Sequence, residues 1–256
     1  MATRFTARVQ GTVELGGKSF LLRVEDAGEL AGCAPGQFAM LRGEWDGDPI
    51  LPRAMSVMRV RAGGGADFLM KEVGRGTRLF RDMRAGDRVT ILGPLGHPFP
   101  APDAARRDVL VAGGVGLAPL LMQAERAAAA GLADHVTLVH GGRTGEDLVL
   151  QDDLRATGVA LRLATEDGSA GTRGRVTAAL GGILDGATLM ACGPTPMLRA
   201  LHALALERGL PCHLALEETM ACGIRACLGC AVPAREKPYL YVCTDGPVFE
   251  AREVWP

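Results

Sequence analysis

The sequence predicts a multidomain β plus α/β protein: an antiparallel β-barrel, a parallel-sheet domain, and a small cysteine-bearing C-terminal domain. Three observations carry this. Short strands separated by turn residues fill the chain up to about residue 101. After Arg107 the rhythm changes to strands alternating with helices. Four of the seven cysteines then fall within the last 35 residues. The expected divisions are 1–101, 102–212 and 213–256.

In the first region TARVQGTVEL, SFLLRVED, FAMLRG, MSVMRVRAG, ADFLMKEV and DRVTILGP read as strands, each bounded by Gly, Pro or Asp. Their close spacing leaves no room for crossover helices, so the strands pair antiparallel and curl into a barrel. One helical turn is expected near Gly76 to Arg84. GPLGHPFPAPDA, with four prolines, reads as a linker.

In the second region DVLVAGG is a continuous apolar strand, followed by a Gly turn and a helix through LAPLLMQAERAAAAG. HVTLVHGG and VALRLATED are further strands. GRVTAALGGIL is expected as a helix, ATLMACG as a strand, TPMLRALHALALERG as a helix and CHLALEE as a last strand. Strands separated by helices of ten or more residues make a parallel sheet covered on both faces, a nucleotide-type domain. The remaining tail is too short to build its own core, so its stability is expected to come from a metal.

Bulk composition excludes several classes. A chain 48% hydrophobic and 22% charged is ordinary for a folded protein. A formal charge of −1 leaves no excess of Lys and Arg for nucleic acid phosphates. The longest uncharged apolar run, Val109 to Met122, holds three glycines and a proline, too short and broken for a bilayer. The N-terminus has no apolar signal core, so the chain is expected in the cytoplasm. Cys33, Cys192 and Cys212 read as small buried hydrophobes, and the five histidines as structural.

The tail cysteines carry the most specific chemistry. Cys222, Cys227, Cys230 and Cys243 are spaced C-x₄-C-x₂-C-x₁₂-C. That is the plant-type [2Fe–2S] pattern, with three thiolates on one tight loop and a fourth from further along. The small residues of ACGIRACLGC allow the backbone amides to approach the sulfurs. Zinc is an alternative, although zinc knuckles usually come as two C-x₂₋₄-C pairs. Two disulfides are another, disfavoured in a reducing compartment.

Two turns point to a nucleotide. GGVGLAP, with Gly113, Gly114 and Gly116, ends the first parallel strand and opens its helix. ACGPTPML, with Cys192, Gly193 and Pro194, does the same later in the sheet. In the barrel, Arg53 of RAMS offers a fork for a pyrophosphate and Ser56 a hydroxyl for a heterocycle. Gly74, Gly76 and Thr77 of KEVGRGT offer amides and a hydroxyl to phosphate. Alone, the GGVG turn is equally readable as packing, and on composition the barrel motifs read first as a surface arginine and a tight turn.

The order of the pieces — RxxS, then GGVG-x-x-P, then CGP-x-x-ML — resembles the ferredoxin–NADP reductase-like flavoproteins over about the first 210 residues. LEETMACGIRACLGC with VCTDGPVF extends the likeness to the tail. It resembles the electron-transfer subunits of the two-subunit, NAD-dependent dihydroorotate dehydrogenases. The resemblance implies FAD in the barrel, held by Arg53, Ala54, Met55 and Ser56. Leu69, Met70 and Lys71 would line it, and Gly76 and Thr77 would meet its phosphates. It implies NAD as co-substrate at the two glycine turns, with Cys192 near nicotinamide or simply packed, and a [2Fe–2S] cluster on the four cysteines.

The implied partner is an FMN-containing catalytic subunit that oxidises dihydroorotate in UMP synthesis, in a heterotetramer of two of each chain. No residue of this chain is then expected to act as a catalytic acid or base. Two departures stand out: Ala54 where relatives usually have Pro, and Arg225 where Gly is usual. The alternatives are a reductase subunit of a hydrogenase, sulfite reductase or transhydrogenase complex, and a non-catalytic module binding zinc and a nucleotide. The acidic pair Glu166 and Asp167 beside Thr165 favours NAD over NADP, whereas Arg143 and Arg173 argue the other way.

Overall fold

A computed structural model describes residues 2–255. The N-terminal sheet contains β1 (Thr3–Gly16), β2 (Ser19–Glu25), β3 (Phe38–Gly43), β4 (Arg53–Ser56), β5 (Arg59–Arg61), β6 (Gly65–Lys71) and β7 (Arg88–Leu95). All pairings are antiparallel, in the order β4-β3-β7-β1-β2-β6-β5. The sheet curls until β4 lies beside β6, which brings the two strands expected at the flavin together. The short helix α1 (Arg75–Arg81) follows β6, where a helical turn was expected.

β2 and β6 are buried on both faces, and their alternation explains why. Phe20, Leu22, Phe68 and Met70 point into the barrel core. Leu21 and Leu69 point the other way, into a core shared with Leu117, Ala118 and Leu121 of the next domain. The two domains are therefore joined by a common apolar core. Arg59 fastens the rim, donating 2.9 Å hydrogen bonds to Glu125 and Asp153 of the second domain.

That domain contains β8 (Arg107–Gly113), α2 (Leu117–Ala129), β9 (Val136–Gly142), α3 (Gln151–Ala156), β10 (Ala160–Thr165), β11 (Thr172–Arg173), β12 (Ala187–Cys192), α4 (Thr195–Arg208) and β13 (Cys212–Ala215). The tail adds a two-stranded hairpin, β14 (Ala231–Pro233) with β15 (Tyr239–Tyr241), and then β16 (Val248–Glu250). Sheet order is β11-β10-β9-β8-β12-β13-β16, parallel except for the antiparallel last strand. The order reverses between β8 and β12, so their carboxyl ends open a crevice.

Several expectations need correction. The segment GRVTAALGGIL forms only a 3₁₀ turn over Val176–Leu180. Gly181 and Gly182, the latter at φ +74°, stop it, while Val176, Ala179 and Leu180 are spent filling the core. The proline-rich stretch is no free linker: Phe99 is buried, its N–H donates to Pro35, and that of His97 donates to Gly246. The tail does not stand apart from the sheet. Val232, Leu240 and Val242 lie in the core that also holds Val109 and Leu189, and β16 completes the sheet itself. The 212/213 division also falls inside β13.

Candidate functional site

Three adjoining regions bring together the residues singled out from the sequence. The first is a cleft of about 310 Å³ between barrel and sheet domain. Ala54, Met55 and Ser56 of β4 line it, with Leu69, Met70 and Lys71 of β6, Thr77 and Cys192. The side chain of Met70 is buried in the barrel core, so this residue mainly offers backbone to the cleft.

Arg53 lies just outside the cleft over the start of α1. A Cβ added to Gly76 would sit 2.7 Å from its guanidinium, so glycine keeps this cradle open. One guanidinium nitrogen donates to Leu51 O at 2.7 Å, leaving other donors of the fork for an anion. The Thr77 hydroxyl accepts the N–H groups of Val73 and Gly74 at 2.9 and 3.2 Å. It therefore shapes the Gly-rich turn. Donor fork, bare backbone and apolar wall together fit a flavin dinucleotide.

The second region, of about 550 Å³, opens at the carboxyl ends of β8 and β12. Gly113, Gly114, Gly116, Gly193 and Pro194, from the two turn motifs, line it. The turns touch backbone to backbone: a Cβ on Gly116 would lie 2.4 Å from the Cys192 carbonyl oxygen. Gly114, at φ +54°, has no neighbouring atom where a Cβ would point, so its backbone is bare. Its carbonyl accepts a hydrogen bond from His140 Nε2 at 3.1 Å, while Gln151 Nε2 faces Nδ1 at 3.4 Å. Burial lowers the His140 pKa to about 4, more than the Gly114 bond raises it, so the ring is neutral. A bare glycine turn braced from below fits a dinucleotide phosphate.

Lys71, Val115 and Glu217 line both clefts, which makes the two spaces continuous. Lys71 Nζ donates to Asp147 at 2.6 Å, joining β6 to the turn after β9. The other Asp147 oxygen accepts the Arg143 N–H at 3.0 Å. Burial pushes the Asp147 pKa up, but the Lys71 bond and backbone amides outweigh it and hold the carboxylate below its usual range. Glu217 opens onto the cleft, yet protein surrounds it on most sides and burial raises its pKa. Burial first, and then the Glu217 charge, keep the Cys192 thiol well above its ordinary value. Cys192 faces the barrel-side cleft and is a neutral packed thiol. Glu166 and Arg143 both border the second cleft, together with Arg175.

The third region is the cysteine loop. Cys230 and Cys243 form one pair, their sulfurs 3.3 Å apart, and Cys222 with Cys227 forms another. The loop's own N–H groups point inward: those of Ile224 and Cys227 donate to Cys222 Sγ, and that of Arg225 to Cys243 Sγ. Arg225 and Leu228 adopt φ +63° and +58° to achieve this. The Gly229 amide and then Cys222 lower the Cys227 pKa to about 7, whereas burial raises Cys243 to about 11.

Among the described residues no three metal-ligating side chains converge on one point. Two pairs of thiols suit two irons with two protein ligands each, whereas a single zinc ion needs four converging donors. A disulfide requires a sulfur separation of roughly 2.05 Å. The loop also rests on the barrel: a Cβ on Gly223 would lie 2.6 Å from Met40 Cγ. Met40 pairs in register with Ala54 on the flavin-side strand. The cysteines therefore stand one strand away from the first cleft.

Residues 217–255 match the family described as "Iron-sulfur cluster binding domain of dihydroorotate dehydrogenase B". Residues 110–203 match "Oxidoreductase NAD-binding domain". The dihydroorotate dehydrogenase B (NAD(+)) electron transfer subunit of Geobacillus thermodenitrificans is 41% identical over 228 residues, 86% of either chain. The chain belongs to this family of electron transfer subunits. Its counterpart in Desulforamulus reducens is 31% identical over 99% of both chains. A solved structure described as "Insights into flavin-based electron bifurcation via the NADH-dependent reduced ferredoxin-NADP oxidoreductase structure" superposes with TM-score 0.85 at 28% identity. That match covers 97% of this chain and 89% of the other.

Sequence reasoning missed several residues of the electron-transfer subunit fold that border the clefts. Val115 and Glu217 at the seam are unremarkable in sequence, and Lys71 was assigned to the flavin alone. Asp147 had no local signal, because its partner is 76 positions away in the chain.

Proposed function

We propose that this chain carries electrons from a dihydroorotate-oxidising catalytic subunit bearing FMN, through [2Fe–2S] and FAD, to NAD⁺. The observation that carries the reading is spatial. In a member of this family, a cysteine loop, a flavin-sized cleft and a nucleotide cleft adjoin in that order. Bound flavin supplies the conversion between one-electron exchange with a cluster and two-electron hydride exchange with nicotinamide.

The chain's own residues do the positioning. Arg53 and the Gly76–Thr77 turn hold the flavin phosphates, while Ala54, Met55, Ser56, Leu69, Met70 and Lys71 form the wall. Gly113, Gly114 and Gly116, with Gly193 and Pro194, receive the pyrophosphate of NAD. Val115 and Glu217 line both clefts, where they would border nicotinamide and flavin, and Cys192 lines the barrel-side cleft as a neutral thiol. Cys222, Cys227, Cys230 and Cys243 would bind the cluster, and loop amides donate to the sulfurs of Cys222 and Cys243.

No side chain is needed as acid or base, since hydride transfer depends on orientation. The reading assigns FAD to the N-terminal barrel, NAD to the parallel-sheet domain and the cluster to the cysteine-bearing segment that follows β13. It places the protein in the cytoplasm as half of a two-plus-two heterotetramer. Among the described residues no helix is long and apolar enough to cross a membrane.

A second reading draws on the bifurcating oxidoreductase superposition, in which the chain would serve another reductase complex. Co-expression with the FMN subunit separates the two. A stable complex that reduces NAD⁺ with dihydroorotate is expected. A complex inert toward dihydroorotate, or a natural partner lacking FMN, would overturn the assignment.

A further inference from the structure

Arg225 occupies a backbone position that favours glycine, at φ +63°, in the middle of the cysteine loop. A large residue held there calls for a compensating contact, and its side chain makes two. The guanidinium carbon stands 4.3 Å from the centroid of the Tyr241 ring. A guanidinium nitrogen lies 3.6 Å from Asp245 Oδ1. Both partners belong to the turn that carries Cys243. The turn is itself tightly bound: Asp245 Oδ2 accepts the Tyr241 N–H at 2.8 Å, and Tyr241 O accepts the Thr244 and Asp245 N–H groups. Through its backbone, Arg225 also donates to Cys243 Sγ at 3.2 Å. One residue from the three-cysteine loop therefore grips the fourth cysteine's turn through both main chain and side chain.

We propose that Arg225 is a positioning residue: its guanidinium, stacked on Tyr241 and paired with Asp245, locks the three-cysteine loop to the turn bearing Cys243. The lock fixes the spacing between the Cys222–Cys227 and Cys230–Cys243 pairs and shields the exposed side of the site. Loop residues Ile224 and Leu228 are more than half exposed, so no apolar packing does this work from outside. Asp245 offsets the cation, so the side chain acts by holding geometry. The inference rests on the four cysteines being cluster ligands.

The test uses the full chain, purified anaerobically, with Arg225→Met, Arg225→Lys and Tyr241→Leu. Met and Lys share the backbone strain of Arg at this position, so the comparison isolates the guanidinium. Cluster loss to a ferrous chelator is followed by visible absorbance. Hydrogen exchange of amides 222–230 is measured in the holoprotein and after iron removal.

Arg225→Met and Tyr241→Leu are each expected to speed cluster loss about fivefold. The double variant should be no faster than either alone. Arg225→Lys, keeping the charge without the planar fork, should recover only part of the difference, leaving cluster loss about threefold faster than wild type. Loop amides should exchange faster in Arg225→Met even without iron. Wild-type rates of cluster loss and exchange in Arg225→Met would overturn the proposal. A wild-type chain without iron and sulfide would overturn the cluster assignment, and the exchange comparison then decides the lock by itself.

Discussion

The four cysteines come from one stretch, Cys222 to Cys243, and three of them sit on a single loop. The two clefts beside them draw their walls from segments as far apart as Gly36 and Pro247. In the cysteine loop, spacing and backbone conformation place the sulfurs, and the amides that hold them belong to the same few residues. In the clefts the parts meet only through the fold. Gly116 meets Cys192 only because β8 and β12 are neighbours, and Lys71 meets Asp147 only because the barrel is docked on the sheet. A local site fails by losing a ligand and leaves its surroundings intact. A composite site fails by misalignment, and the effect spreads to whichever cofactors share the wall.

The largest expected effect breaks the local site alone. Cys227→Ala should remove the cluster and reduce dihydroorotate-driven NAD⁺ reduction by at least about two orders of magnitude. Flavin content and NADH oxidation by a flavin-level acceptor should persist. If both activities survive, the cluster is not on the path.

Next comes misalignment. Gly116→Val would force the two turns apart at the Cys192 carbonyl, and a displacement of about 1 Å can cost about a hundredfold. kcat/KM for NADH should fall by that order, with flavin and the reduced-cluster signal retained. Loss of all three together would mean the clefts and loop are less separable than the comparison holds.

His140 sharpens the contrast through pH. Its folded pKa, about 4, lies below its ordinary 6.5, so the unfolded chain binds the proton more readily. Its contribution is complete above pH 6.5 and is lost as pH falls toward 4, about 3 kcal/mol in all. Thermal melts of His140→Gln should be flatter across that window than those of wild type. An unchanged slope would assign the acid sensitivity to another group.

The smallest effect is at the seam. Asp147→Asn should lower stability by about 1–2 kcal/mol and raise KM for NADH a few-fold, without altering cluster content. The Asp147 pKa is held down, so wild type keeps this bridge at neutral pH and loses it only as pH falls below about 4. The difference between variant and wild type should shrink there.

Much of the cysteine site was legible because C-x₄-C-x₂-C is itself the geometry: the loop that joins the ligands also supplies their hydrogen bonds. The alternation of β6 likewise shows in its residues, with Leu69 and Met70 facing opposite cores. The glycine turns were visible as motifs, but their contact was not, since adjacency of β8 and β12 is a property of sheet order. The seam residues Val115 and Glu217 carry no local signal at all. β16 is three residues long and exists because β13 offers an open edge, which no periodicity reveals. The expected helix over 174–184 failed for a related reason. Its apolar residues fit a helical period, yet Gly181 and Gly182 end the turn and the core takes those side chains as they stand.

Anaerobic titration of the isolated chain with NADH, followed by absorbance and electron paramagnetic resonance, tests electron passage between nucleotide, flavin and cluster most directly. Flavin bleaching together with a reduced [2Fe–2S] signal approaching about one spin per chain is expected. Flavin reduction with no paramagnetic signal, or a preparation lacking acid-labile sulfide, would contradict it.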